Sequence, residues 1–408
     1  MELTEKQIGF KKILKQMILN EDAEISFPDL ELKAFQLAQI IAGDLSNSDV
    51  AEIVISLTEE LTVTLSPGGT VVDPETFEPW IQERKETTPT PRWDSYEQLL
   101  ISRDWESPVI KDLSKQSDEI VELLGDPLKS GSWARRGLLM GEVQSGKTAN
   151  YIGVLNKALD YGYKVIIVIG GHTNELRTQT QSRFDTDLLG IDSEYLDDNI
   201  ANATLPRIGI GEIDKSLRAN VMTTVRGDFN SNKKTAGITW INSDLPTVFI
   251  IKKNARLIAN VANYIRQQAG SEKIDVPLIV VDDESDWGTP NTGSETDPTR
   301  VNKEIRRLLD SSRRSSYLGI TATPFANIFI DHNATDDEIG SDLFPQDYIR
   351  TLPAPSNYFG ISQYFTPTHS ALRLNVSDCT DLLPIIHKSN HKLHKLPESL
   401  RKAFLSFL

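Results

Sequence analysis

Gly141-Glu142-Val143-Gln144-Ser145-Gly146-Lys147-Thr148 fits G-x-x-x-x-G-K-[ST], the pattern of a phosphate-binding loop. Its surroundings agree. Leu138-Leu139-Met140 leads in as a short buried strand, and Ile152, Leu155 and Leu159 continue at helical spacing. Gly141 and Gly146 let the backbone curl so that its N–H groups, those of Gln144 and Ser145 included, face phosphate oxygens, and the helix N-terminus adds a positive dipole end. Lys147 would reach the β- and γ-phosphates, and the Thr148 hydroxyl would ligate Mg²⁺. The stretch predicts a nucleotide site between a strand and a helix.

Working outward, Val165 to Ile169, Thr247 to Ile251, Leu278 to Val281 and Tyr317 to Ile320 are strand-like runs separated by helical ones. Runs apolar on both faces predict an α/β fold with a parallel sheet covered on both sides. The third run ends in Asp282-Asp283-Glu284-Ser285-Asp286. A buried strand that terminates in acids delivers carboxylates to the C-terminal edge of the sheet, where open α/β folds bind ligands. Asp283 is expected to hold Mg²⁺ through water, and Glu284 to orient and deprotonate an attacking water. Asp282 is the alternative metal partner, because the register is ambiguous by one residue. The fourth run enters Thr321-Ala322-Thr323-Pro324, which places two hydroxyls at the same edge, within reach of the acidic loop.

The chain of 408 residues carries a net charge of −15 and 39% hydrophobic residues. That balance describes an ordinary globular protein and argues against nonspecific nucleic-acid binding by the surface as a whole. A single cysteine, Cys379, excludes an internal disulfide, and neither a signal core nor a run of membrane-spanning length is visible, so a cytoplasmic location is expected. Residues 1–86 read as a small, mostly helical N-terminal domain, with Ile8, Ile13, Leu14 and Met17 on one helix and Leu32, Phe35, Leu37 and Ile40 on the next. Residues 87–130 read as a linker and helices. Thr87-Thr88-Pro89-Thr90-Pro91 opens that region, and a helix begins at Ser107-Pro108 and runs to about Leu124. The nucleotide-binding lobe is expected over 131–370, and a further region begins at 371–408.

The three motifs together resemble the core of a superfamily 2 helicase-like ATPase: Asp283-Glu284-Ser285-Asp286 its D-E-x-D box, Thr321-Ala322-Thr323 its hydroxyl motif. The stretches Gly141 to Tyr151, Lys157 to Val165, Asn174 to Arg183 and Thr321 to Asn327 narrow the likeness. They resemble the Z-one domain family, labelled an endonuclease domain, whose members are bacterial and often sit beside DNA methyltransferases in restriction-like antiphage loci. The resemblance covers about residue 105 to the end. It implies a RecA-like P-loop NTPase lobe, ATP and Mg²⁺ as cofactors, ATP hydrolysis coupled to work on DNA, and defence-system partners such as a DNA methyltransferase. It also implies that Arg177, Gln179 and Arg183 face nucleic acid, with Lys252 and Lys253 on the same edge. The commoner residue at Ser285 is alanine, and helicase-type motors carry a second lobe that supplies arginines. No second βα array follows Thr323, so the chain reads as the N-terminal part of a longer protein or a natural truncation.

Other constellations carry less. His387, His391 and His394 have a spacing that a metal could use, but no fourth ligand is near and lysines interleave. Asp73 with Glu83-Arg84-Lys85 imitates a nuclease site faintly, interrupted by Pro74 and Pro79. Arg306-Arg307 and Arg313-Arg314 are expected either to pair with the acidic loops or to touch phosphates, and Trp287 to pack. The competing functions are a nucleotide-switched protein-interaction module and an endonuclease whose site is not identifiable here.

Overall fold

The structure, a computed structural model, describes residues 5–19, 27–42, 45–54, 69–105, 107–141, 147–198, 205–230, 240–270, 272–291, 299–328, 330, 335–336, 340–352, 378 and 395–407. Eight strands form one sheet: β1 (Thr70–Val72), β2 (Trp133–Met140), β3 (Val165–Ile169), β4 (Asn220–Val221), β5 (Thr247–Ile251), β6 (Leu278–Asp283), β7 (Arg314–Thr321) and β10 (Tyr348–Thr351). Two-residue strands β8 (Thr335–Asp336) and β9 (Gly340–Ser341) pair separately. Across the sheet the order is β1-β10-β2-β7-β6-β3-β5-β4. All neighbours are parallel except β1, which runs antiparallel to β10. The fold is therefore α/β with a mixed, mostly parallel sheet.

The reason lies in alternation. Side chains along a strand point to opposite faces, and here both faces are apolar. Ile166, Val168, Val248 and Ile279 enter one core; Val165, Ile167, Phe249 and Val280 enter the other. The first core is completed by the helices α5 (Pro91–Ser102), α6 (Ser107–Leu123) and α7 (Lys147–Tyr161), the second by α10 (Ala255–Gln268) and α11 (Arg300–Leu309). The helix expected from Ser107 thus ends at Leu123, one residue short of the sequence reading. Pro91 starts α5 at N1, but Thr90 makes no capping bond. Asp160 on α7 serves instead, accepting from the N–H groups of Arg92 (3.2 Å) and Trp93 (2.9 Å). Lys157 and Tyr163 are further ties from the same stretch: the lysine ammonium bonds Asp118 at 2.6 Å, and the tyrosine hydroxyl donates to the Gly125 carbonyl at 2.6 Å.

At the N-terminus, α1 (Glu5–Leu19), α2 (Phe27–Ile41) and the helical residues 47–54 share a separate core of Phe10, Leu14, Leu30, Ala34, Val50 and Ile53. The expected stripe differs. Ile8, Ile13, Leu32 and Ile40 are exposed, because small alanines, Ala34 and Ala38, line the packed face of α2. The expected boundary at residue 86 also differs: β1 joins the large sheet, and Trp80 and Ile81 enter its core. Residues 356–408 form a second compact unit. In it Ser399, the second residue of the helix Glu398–Phe407, donates its hydroxyl to Asp378 at 2.6 Å. Cys379 and the three histidines lie outside the described residues. Among the described residues, no helix is long and apolar enough to cross a membrane.

Candidate functional site at the C-terminal sheet edge

Because β2, β7, β6, β3 and β5 are parallel and adjacent, their C-terminal ends form one edge. Met140 lies beside Thr321, and Asp282 lies between Gly319 and Ile169. Gly141 begins the connection to α7; its N–H donates to the Thr321 carbonyl at 3.1 Å, and the Lys147 ammonium donates back to the Gly141 carbonyl at 2.8 Å. Gln144, Ser145 and Gly146 lie outside the described residues. Lys147 and Thr148 form the first turn of α7.

The register settles which acid faces α7. Asp282 shares its side of β6 with Val280 and Leu278, the core of α10 and α11. It is fully buried, accepts from the hydroxyls of Tyr317 (2.9 Å) and Thr289 (2.7 Å), and pairs with the Lys253 ammonium at 2.9 Å. Asp283 points to the side of Ile279 and Val281, shared with α7. There its Oδ2 accepts from the Tyr151 hydroxyl at 3.3 Å. Burial pushes the Asp283 carboxyl above its ordinary range. The neighbouring Glu284 charge adds to this, while the Glu284 N–H, Tyr151 and Lys253 oppose it.

Glu284 has φ 52°, a left-handed backbone that a side-chain-bearing residue adopts at a cost of order 1–3 kcal/mol. Ties on both sides hold it. Its N–H donates to Asp283 Oδ1 at 3.0 Å, and its carbonyl accepts from Lys253 (2.6 Å) and from the Trp287 N–H (3.0 Å). Its carboxylate is exposed and lies 3.7 Å from His172 Nδ1, on the loop after β3. His172 stacks on Trp287 with centroids 4.3 Å apart, and Trp287 is 51% exposed, so this tryptophan is a surface aromatic rather than core packing.

Asp286 receives both threonine hydroxyls, Thr321 at 2.7 Å and Thr323 at 2.6 Å. Burial raises this carboxyl, but the two hydroxyl bonds and Lys253 outweigh it and leave the group below its usual range. Asn327, buried on α12 (Phe325–Ile328), donates to the Ser285 carbonyl at 3.1 Å. The acidic loop is thus pinned at once by Lys253 just past β5, by β7 and by α12.

The basic residues assigned to nucleic acid divide. Gln179 and Arg183 are exposed on α8 (Asn174–Phe184). Lys252 donates to Asn174 Oδ1 at 2.8 Å. Arg177 and Lys253 are corrections, since both are buried. The Arg177 guanidinium donates to the carbonyls of Thr224 (2.7 Å) and Val225 (2.8 Å), and Lys253 serves the acidic loop. Arg313 and Arg314 lie at the start of β7, opposite the acidic loop; Arg314 pairs with Asp275 and Arg307 with Glu304. Arg84 and Lys85 are engaged with Asp126 and Asp118. Among the described residues, no group of three or more histidines, cysteines and acids is placed to hold a metal ion.

Sequence reasoning missed Tyr151, His172 and the structural role of Lys253. Only Tyr151 carried a local signal, sitting one turn past Thr148 on the loop's own helix. Comparison of the chain with protein-family models and with curated proteins gave no match.

Proposed function

We propose that this protein binds and hydrolyses ATP through a RecA-like, helicase-like P-loop lobe and acts on DNA, in a bacterial restriction or antiphage setting. The observation that carries the ATPase part is the pairing of two elements at one sheet edge. The loop-bearing β2 and the acid-bearing β6 flank β7, and Asp283 faces the helix that begins with Lys147 and Thr148. In open α/β sheets this edge is where ligands bind. The DNA part rests on the sequence resemblance, together with Gln179 and Arg183 exposed on α8.

On this reading Lys147 and the N–H groups of the loop bind the triphosphate. The donors on α7 and β6, one hydroxyl and one carboxylate, fit a hard cation that takes few protein ligands and keeps phosphate and water oxygens. Thr148 and Asp283 would hold Mg²⁺, which when bound neutralises phosphate charge. Glu284, exposed at the sheet edge, orients the attacking water and accepts its proton. Asp286, gripped by Thr321 and Thr323, links the acidic loop to the end of β7.

Glu284→Gln should retain nucleotide binding and lower turnover by about 10² or more. Lys147→Ala should weaken both. ATPase assays with and without DNA, beside direct binding measurements, test this. Parent-like hydrolysis by both variants would overturn the site assignment, and a rate indifferent to DNA would remove the DNA part.

A further inference from the structure

We infer that Tyr151 is a positioning residue that sets the direction in which Asp283 offers its oxygens to a divalent cation; this rests on the nucleotide-binding reading above. Thr148 and Tyr151 stand three residues apart on α7, so they share a face. The Tyr151 ring is buried and packs against Phe184, with centroids 6.0 Å apart. Its hydroxyl therefore answers to its neighbours and not to bulk water. It donates to Asp283 Oδ2 at 3.3 Å.

The order of donation matters. The phenol proton is used on Oδ2, and the Glu284 N–H on Oδ1 at 3.0 Å. Each carboxylate oxygen keeps a lone pair, and the rotation of the carboxylate is fixed from both sides. A phenol does this without adding charge, so the full negative charge of Asp283 stays available. A lysine in its place would neutralise that charge. Tyr151 thus joins the helix of the phosphate-binding loop to the acid-bearing strand through one neutral oxygen.

Tyr151→Phe removes that oxygen and keeps the ring. Three readings are taken on the full chain. Binding of a fluorescent ATP analogue in EDTA should match the parent, because no cation is involved. The unfolding temperature should match as well, because the packing is kept. The affinity for Mn²⁺ in the presence of the analogue, followed by electron paramagnetic resonance, should fall about tenfold, the usual effect of losing a partner behind a metal ligand. A parent-like Mn²⁺ affinity in Tyr151→Phe, or an equal loss of binding in EDTA, would overturn the positioning role and leave the nucleotide site standing. A parent protein that fails to bind the analogue at all would instead overturn the proposed function, and the cation role with it.

Discussion

Replacing Lys253 with methionine tests the central claim about the acidic loop, that a buried ammonium holds it. Lys253 is 5% exposed and lies 2.9 Å from a carboxylate oxygen of Asp282, which is fully buried. At an effective dielectric of about 20, two charges at this distance attract by about 6 kcal/mol, before the cost of taking both out of water. Methionine fills much of the same space, so the main loss is the charge. Asp282 keeps the Tyr317 and Thr289 hydroxyls, but no cation remains on it, and the carbonyls of Glu284 and Trp287 lose their lysine donor. Breaking such a buried pair costs about 3–5 kcal/mol, whereas removing both charges costs much less. We expect Lys253→Met to lower the unfolding temperature by about 4–7 °C. Adding Asp282→Asn should recover a large part of that loss. Thermal unfolding of the parent, the two single variants and the double variant gives the coupling directly. A Lys253→Met variant that melts like the parent, yet loses DNA affinity with a shallower salt dependence, would place the ammonium on phosphate and refute the reasoning.

Two further outcomes are expected. Ser285 is fully buried and its hydroxyl has no hydrogen-bond partner among the described residues. Ser285→Ala should therefore stabilise the protein by about 1 kcal/mol, seen as a raised unfolding temperature; a loss of similar size would reveal a bond the hydroxyl makes. Burial pushes the Asp160 carboxyl from 3.8 up to about 7, against the N–H groups of Trp93 and Arg92 and the Arg92 charge. The folded state then holds a proton that the unfolded state has released, so this group's contribution declines as pH rises from about 4 to about 7. Asp160→Asn should flatten the fall of unfolding temperature between pH 5 and pH 7.5. Asp185, raised to about 6 by burial, leaves a remainder of the same sign. An unchanged pH profile would mean that Asp160 titrates alike in both states.

What the sequence made legible was whatever short-range pattern governs. Five apolar residues in a row at Val165 to Ile169 cannot face water on either side, so a covered parallel sheet follows from them alone. The position of Gly141 and of the acidic loop at strand ends is likewise local. The choice between Asp282 and Asp283 was not, because a one-residue shift exchanges the two faces and only the pairing of β6 with β3 and β7 fixes the phase. Lys253 and Arg177 read as surface cations because lysine and arginine are rarely buried. Their partners, Asp282 and the carbonyls near Thr224, lie 29 and 47 residues away along the chain. β1 escaped notice for a different reason. Three residues, two of them exposed, give no periodicity to read.

That short strand has a practical consequence. It covers the outer side of β10, with Thr70, Val71 and Val72 opposite Arg350, Ile349 and Tyr348. Trimming the chain to start at residue 87, where the sequence alone would place a clean cut, bares a row of backbone amides and carbonyls and also removes Trp80 and Ile81 from the core. An uncovered strand of this kind is a template for another copy to add to. Shortened versions that clump in solution would then be reporting a lost selvedge, not a failure of the rest of the sheet to fold.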